Sequence, residues 1–235
     1  MSIRGTHLKT IERICHFWYI IRMKFSQLLE MVGDEPIFET GLLLAGEIDP
    51  LDVRRQLSRW TQTGRLYQLR RGLYALAPPY QKSNPHPFRV ANHLVRSSYV
   101  SCQSALAHYG LIPEYVPVTI SLTAARPVHW ETALGTYEFR HIKAELFFGY
   151  QLIELTGEQE AFVATPEKAL LDLIYLHPGG ASPAYLQELR LQNLERLDLD
   201  ALAHQAARAD QPKLQRATAL ITVFARAESM EYRRI

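Results

Sequence analysis

The most regular alternation of apolar and polar positions in the chain lies between Asp49 and Gly64. Within it, Val53, Leu57 and Trp60 recur at the i, i+4 and i+7 spacing of one buried helical stripe. The segment opens with an Asp-Pro pair, which supplies an N-cap carboxylate and a proline at the first helical position, where no N–H is needed. It closes at a glycine suited to a left-handed C-cap. The pattern predicts one amphipathic helix over this segment.

The polar face of this predicted helix is rich in arginine. At about 100° per residue, Arg55, Ser58 and Gln62 point away from the apolar stripe, and Arg54 and Arg59 flank that face. Arg and Gln can form bidentate hydrogen bonds with base edges, and Arg also pairs with phosphates. The face therefore indicates contact with DNA, and an ordinary solvated helix face is the alternative.

A predicted β-hairpin follows the helix. Residues 66–69 and 73–76 are rich in leucine and tyrosine and favour two short strands. The three-residue connection between them carries two arginines and ends in Gly72, which suits a positive φ. Between residues 50 and 80 the chain has six arginines, no lysine and one acid, a local net charge of +5. A capped helix with an arginine face and an arginine-tipped hairpin is typical of a winged helix-turn-helix that binds duplex DNA.

The predicted DNA contacts come from the helix, the residue after it and the hairpin tip. They are Arg54, Arg55, Ser58, Arg59, Gln62, Arg65, Arg70 and Arg71. Arg54 and Arg65 are expected to contact phosphates rather than bases, and the hairpin arginines are expected to contact phosphates or the minor groove.

The pattern also predicts where the domains lie. Residues 25–30 and 38–45 favour two shorter helices, which complete a winged helix-turn-helix domain over residues 23–79. Prolines make residues 80–87 a semi-rigid linker. Residues 88–235 are predicted to form a mixed α/β effector domain with a helical C-terminus, able to act separately from DNA binding.

Within the effector domain, β-branched and aromatic residues favour strands at residues 118–123, 136–141 and 150–155, with a short one at 162–164. The whole chain is therefore predicted to be an α+β protein. Residues 1–22 precede a methionine that resembles a natural start, and they are expected to be either a leader or an extra helix.

Composition narrows the class of protein. The net charge is only +2 over 235 residues, so the basic charge is concentrated in the N-terminal unit. The two cysteines, Cys15 and Cys102, are far apart, and the histidines lack the spacing of zinc ligands. No run approaches the roughly 20 apolar residues of a membrane span. We expect a cytoplasmic protein with no membrane partner, no metal and no cofactor.

One charged group resembles a catalytic site. Glu167, Lys168 and Asp172 are the residue types of a metal-dependent nuclease, but the Thr-Pro pair before them predicts a helix start. Such nucleases place Glu and Lys two apart on a strand, whereas here the two are adjacent. We expect surface charge at a helix start, with Asp172 anchoring a neighbouring loop. No Ser-His-Asp set or Gly-rich phosphate loop occurs in the sequence, so the chain is predicted not to be an enzyme.

Several short motifs occur in an order that resembles the AbiEi-type family of antitoxins and transcriptional regulators. They are Leu-Ser-Arg-Trp at residues 57–60, Gly-Arg-Leu at 64–66, Arg-Gly-Leu-Tyr-Ala-Leu at 71–76, Ser-Ala-Leu-Ala-His-Tyr-Gly-Leu at 104–111 and Thr-Pro-Glu-Lys-Ala-Leu-Leu-Asp at 165–172. The resemblance extends from Met23 to about His177. The leader before Met23 and the residues after His177 depart from it.

The resemblance implies an autorepressor that binds double-stranded DNA at repeats in its own promoter. It also implies an antitoxin that counteracts a nucleotidyltransferase-like toxin encoded beside it in a bacterial phage-defence system, without needing a stable complex with that toxin. The residues themselves leave two alternatives open. One is a winged-helix regulator whose second domain senses a ligand and has no toxin, and the other is a metal-dependent nuclease.

Overall fold

The computed structural model describes residues 23–44, 49–114 and 116–232, with side chains up to Arg226. The expectation for residues 1–22 lies outside the described residues. Within the described ranges the chain is a mixed α+β protein with two sheets. No helix in those ranges has both the length and the apolar character needed to cross a membrane.

The N-terminal part, as far as the structure describes it, combines three helices with a three-stranded antiparallel sheet. Its elements are α1 (Phe25–Val32), β1 (Phe38–Glu39), α2 (Thr40–Leu43), α3 (Pro50–Gln62), β2 (Leu66–Arg70) and β3 (Leu73–Leu76). Strand β3 lies between β1 and β2, so the short strand β1 pairs with the hairpin β2–β3 along its β3 edge.

Helix α3 confirms the prediction made for residues 49–64. The Asp49 carboxylate accepts a hydrogen bond from the Leu51 backbone N–H at 3.0 Å, and a proline occupies the first turn. Val53 and Leu57 are completely buried. Gly64 follows the helix with a φ of +71°, which a residue with a Cβ adopts only at a cost. Local capping and one apolar stripe therefore define this helix.

The helix predicted over residues 38–45 is wrong in its first two residues. Phe38–Glu39 instead forms β1, and α2 covers only Thr40–Leu43. The reason is long-range pairing: Phe38 lies opposite Tyr74 of β3, and their rings stack with centroids 5.9 Å apart. Burial of Phe38 against that strand outweighs the helical preference of the leucines that follow.

The rest of the described chain forms a six-stranded mixed sheet and the helices that pack on it. The elements are α4 (Pro87–Leu94), β4 (Ser98–Val100), α5 (Cys102–His108), β5 (Val118–Thr123), β6 (Val128–Thr132), β7 (Gly135–His141), β8 (Tyr150–Leu155), β9 (Gln159–Ala164), α6 (Pro166–Leu176), α7 (Pro183–Glu188), α8 (Leu199–Ala209) and α9 (Pro212–Tyr232). The strand order is β6-β7-β5-β4-β9-β8. Strands β5, β7, β8 and β9 confirm the sequence predictions, whereas β4 and β6 were not predicted.

The hydrophobic core continues across the predicted domain boundary. A smaller cluster of buried side chains lies around α1 and α3, and a larger one surrounds the six-stranded sheet. Leu69, Leu73 and Ala75 of the hairpin belong to the larger cluster, although they lie in the N-terminal part. The hairpin therefore packs on both parts of the molecule.

The proline-rich segment is held in place by one side chain of the second part. The Gln159 amide donates to the Asn84 carbonyl oxygen at 2.9 Å, and its oxygen accepts from the His86 backbone N–H at 2.9 Å. Gln159 is buried. The segment predicted to be a linker thus has a fixed position against β9.

Candidate nucleic-acid interface

The sequence predicted that the polar face of α3 is rich in arginine and contacts DNA. The structure exposes all of its predicted contact residues: Arg54, Arg55, Ser58, Arg59 and Gln62. Among the residues that the structure describes, none of these three arginines forms an ion pair. Their guanidinium groups are therefore available to an anion from outside.

The single acid of this region points inward. Asp52 is only 7% exposed, and its carboxylate accepts hydrogen bonds from the Met23 backbone N–H at 3.3 Å and from the Gln56 amide at 3.4 Å. The acid that reduced the local charge in the sequence is thus absent from the surface of α3. Among the described residues of α3, the exposed side chains are therefore all positive or neutral.

The two arginines of the hairpin have different surroundings. Arg71 is exposed at the tip. The Arg70 guanidinium donates to the His93 carbonyl oxygen at 3.0 and 3.2 Å and lies 3.6 Å from the Glu39 carboxylate. Because His93 lies in the last turn of α4, a cation there also meets the negative end of the helix. Arg70 is therefore occupied within the molecule, and we do not include it among the proposed DNA contacts.

Two more ion pairs join the N-terminal part to α4 and the residues after it. Arg89 donates to the Glu35 carboxylate at 2.7 Å, and Arg96 pairs with Glu39. The Arg96 guanidinium lowers the pKa of the Glu39 carboxyl, through its hydrogen bond first and its charge second. Glu39 is thus an anion that holds Arg70 and Arg96 together beside the tip of the hairpin.

Arg65 lies beyond the end of α3 and is also exposed. Its guanidinium carbon is 5.0 Å from the centre of the Phe25 ring, a cation–π distance. The same contact brings it to the start of α1, beside Lys24. Lys24 was missed in the sequence because it stands alone, outside the arginine-rich segment.

The residues of the suspected nuclease cluster are buried, so the expectation of surface charge is wrong. Asp172 accepts hydrogen bonds from the Ser101 hydroxyl at 2.8 Å and the Tyr99 hydroxyl at 3.0 Å, and it forms an ion pair with Lys168. The Lys168 ammonium also donates to the Tyr99 oxygen at 3.0 Å. The remaining acid, Glu167, accepts from the Asp198 backbone N–H at 3.0 Å, which ties α6 to α8.

The pKa directions and the small size of the adjacent cavity both indicate that the buried cluster of Lys168 and Asp172 stabilises the fold. Burial raises the pKa of the Asp172 carboxyl, and the Lys168 ammonium and the two hydroxyl donors oppose that shift. Burial also raises the pKa of Tyr99, which keeps its hydroxyl protonated as a donor. The cavity beside Lys168 and Asp172 measures about 10 Å³, room for a water molecule at most. Within the described ranges, no three His, Cys, Asp or Glu residues converge as metal ligands.

A second groove, of about 460 Å³, lies between α4, α5 and β7. The rings of His86 and Phe88 pack edge to face at 5.0 Å, and Phe88 lies 5.5 Å from the His108 ring. Burial lowers the pKa of both histidines, so both are neutral near pH 7. The groove offers aromatic walls and neutral imidazoles, with the Glu114 carboxylate at its edge.

Comparison with known proteins gives a likeness of fold. A scan against protein-family models gives no match, and a search of the curated proteins gives none either. Among solved structures, the chain is similar to the Rv2827c protein from Mycobacterium tuberculosis, with a TM-score of 0.53 and 16% sequence identity. The similarity covers 84% of this chain and 75% of the other. At that identity the match supports a common fold for most of the chain. It does not bear on function.

Proposed function

We propose that the N-terminal part is a winged helix-turn-helix that binds duplex DNA, and that the protein represses its own promoter in the cytoplasm. One observation carries the proposal: a capped helix with three exposed arginines that have no ion pair among the described residues, next to a hairpin with Arg71 at its tip. Helix α3 is the recognition helix, and Arg55, Ser58 and Gln62 face the bases. Arg54, Arg59, Arg65 and Arg71 contact phosphates.

Binding to the protein's own upstream region tests this proposal. Footprinting should show a protected repeat, and that fragment should shift in an electrophoretic assay. Arg55→Ala should cost about 1–3 kcal/mol on the repeat and reduce its preference over random DNA, as expected for a base contact. The matched control is Arg216→Ala, which removes an exposed arginine from α9 and should leave binding unchanged. Equal binding by wild type and an Arg54→Ala/Arg55→Ala/Arg71→Ala variant would refute the proposal.

We propose further that the second part acts as an antitoxin against a nucleotidyltransferase-like toxin. The order of the short motifs that resembles AbiEi-type proteins supports this. Residues 104–111 and 165–172 lie mainly on α5 and α6, which pack against each other, and Ala105, Leu106 and Leu170 are completely buried. These motifs therefore contribute to the core of the second part. Contacts with a partner would come from other, exposed residues of this part.

Growth rescue tests the antitoxin proposal with the full chain. Cells expressing the neighbouring gene should stop growing, and co-expression of this protein from an unrelated promoter should restore growth. The Arg54→Ala/Arg55→Ala/Arg71→Ala variant should restore growth equally well while no longer repressing the native promoter. A neighbouring gene that is harmless when expressed alone would remove the antitoxin assignment.

A ligand-sensing regulator is the second candidate, because of the groove around His86, Phe88 and His108. Its aromatic walls and neutral imidazoles suit a small planar molecule. A compound that changes DNA affinity in the wild type and not in a His108→Ala variant would favour this candidate. We propose no nuclease function, and duplex DNA incubated with Mg²⁺ or Mn²⁺ should stay intact. Cleavage that disappears in a folded Glu167→Ala variant would overturn that view.

A further inference from the structure

A groove of about 390 Å³ opens between the start of α1 and the C-terminal end of α3. Three cationic side chains line it: Lys24 just before α1, Arg59 on α3 and Arg65 just before β2. The described residues that line it include no acid. Phe25 and Trp60 form the apolar side of the groove. Every charged side chain among the described residues of the groove is therefore positive.

All three cations of this groove are exposed, and none forms an ion pair with another described residue. Arg65 is held in place because its guanidinium lies over the Phe25 ring. Phe25 is itself fixed edge-on against Trp60, with centroids 5.3 Å apart, and against Tyr80 at 4.8 Å. The aromatic cluster thus orients a guanidinium whose N–H groups have no acceptor in the described structure.

The groove continues the DNA-facing surface of α3 around one side of the helix. At about 100° per residue, Arg59 lies at the edge of the exposed face, next to the buried position Gln56, which also lines the groove. A recognition helix in the major groove, which is about 12 Å wide, lies between two phosphate backbones. A cationic groove along the side of that helix therefore faces one of those backbones.

We propose that this groove binds phosphate groups of the DNA strand that borders α3, with Lys24 and Arg65 as the phosphate contacts. The proposal rests on the proposed DNA binding and adds a second cationic element to it. Arg59 belongs both to the face of α3 and to the groove, so one continuous duplex can engage the two surfaces together. Contacts to phosphate set the position of the protein and add affinity to every sequence, without selecting a base.

The salt dependence of binding tests the proposal. Wild type and the Lys24→Gln/Arg65→Gln variant are titrated with the footprinted fragment and with random duplex at several salt concentrations. Each lost phosphate contact should reduce the slope of log affinity against log salt by about 0.9, so the double variant should lose about 1.8. Both duplexes should weaken by the same factor, which leaves the specificity ratio unchanged. Arg216→Gln, an exposed arginine on α9, is the matched control and should keep the wild-type slope.

Two further variants separate loss of charge from loss of fold. Arg65→Lys keeps the charge and should keep the wild-type slope. If Arg65→Gln lowers the thermal midpoint, Lys24→Gln alone should still reduce the slope by about 0.9. Lys24 is exposed, so this change removes no buried side chain.

The outcomes distinguish this inference from the proposed function. If the wild type binds no duplex, both fall. If it binds and the double variant has the same affinity and slope, the groove proposal falls together with the phosphate contact assigned to Arg65, and DNA binding through α3 and Arg71 stands. Loss of preference for the footprinted fragment in the double variant would assign Lys24 or Arg65 to a base and also overturn it. The proposal would also be overturned if a free mononucleotide binds the wild type but not the double variant while both bind duplex equally. The groove would then bind a soluble phosphate compound and not DNA.

Discussion

The buried ion pair of Lys168 and Asp172 provides a quantitative test of how the second part is stabilised. We consider Lys168→Met, which removes the ammonium group and keeps an unbranched apolar side chain one atom shorter. Lys168 is 3% exposed and Asp172 is 2% exposed, so neither charge is compensated by solvent. After the change, the Asp172 carboxylate keeps the Ser101 and Tyr99 hydroxyls but has no opposite charge beside it.

The expected loss follows from that geometry. Removing one partner of a buried pair costs about 3–5 kcal/mol, because the other charge remains unpaired in a medium of low dielectric. At about 2–4 °C per kcal/mol for a chain of this size, the thermal midpoint should fall by roughly 6–20 °C. In the double variant Lys168→Met/Asp172→Asn no charge is buried, and the amide oxygen can still accept from a hydroxyl. Its loss should be smaller than that of Lys168→Met alone by about 1–3 kcal/mol.

The effect should also depend on pH in a defined direction. Without Lys168, burial raises the pKa of Asp172 with one fewer opposing charge, so the folded state binds a proton more readily than the unfolded state does. The stability of Lys168→Met should therefore rise as the pH falls through the folded-state pKa, whereas the double variant should lack this rise.

Denaturant unfolding followed by circular dichroism measures these differences. Lys143→Met is the matched control, because Lys143 is exposed and lies 3.9 Å from Glu145 in a surface pair, so its loss should stay within about 0.5 kcal/mol. A Lys168→Met variant within about 1 kcal/mol of wild type would refute the reasoning, as would a double variant that loses as much stability as Lys168→Met alone.

Three further predictions concern other parts of the chain. A chain that begins at Met23 should keep its thermal midpoint, and a drop of several degrees, about 1 kcal/mol, would show that residues 1–22 contribute to the fold. Burial lowers the pKa of His86 and His108, so the folded state binds protons less readily than the unfolded state. The free energy of unfolding should therefore be full above the ordinary pKa of 6.5 and decrease as the pH falls through the lowered pKa values. Denaturant unfolding at about pH 7.5 and about pH 5.5 measures this difference. A Cβ at Gly180 would collide with the backbone of α6, so Gly180→Ala should cost about 1–3 kcal/mol or more in the same assay, whereas Gly179→Ala, with its nearest neighbour at 3.7 Å, should cost far less.

Local signals were sufficient to predict the elements that depend on neighbouring residues. Helix α3 follows from a cap, a proline and one apolar stripe, all within sixteen positions between Asp49 and Gly64. The hairpin follows from two short runs and Gly72, whose φ is +83°. Such features need no distant partner, so the exposed arginines of α3 were also assigned correctly to its outer face.

Long-range partners explain what could not be predicted. Asp172 and Lys168 have the spacing of an ordinary surface pair, and only the fold brings Tyr99 and Ser101 against them. Strand β1 depends on a partner more than thirty positions away in β3. Lys24 joins Arg59 and Arg65 only when α1 packs beside α3. In each case the deciding contact is tertiary, and no window of sequence contains it.

The position of the hairpin bears on how the two parts act together. The sequence predicted that the effector domain acts separately from DNA binding, yet Leu69, Leu73 and Ala75 of the hairpin are buried in the core of the second part. Next to Leu69, at the C-terminal end of β2, the Arg70 guanidinium donates to the His93 carbonyl oxygen in the last turn of α4. A change that displaces α4 must therefore either break these contacts or move the hairpin, and Arg71 at the tip moves with it. If the N-terminal part binds DNA as proposed, any ligand of the second part that shifts α4 should change the DNA affinity. Because linkage is reciprocal, DNA should then change the affinity for that ligand by the same factor.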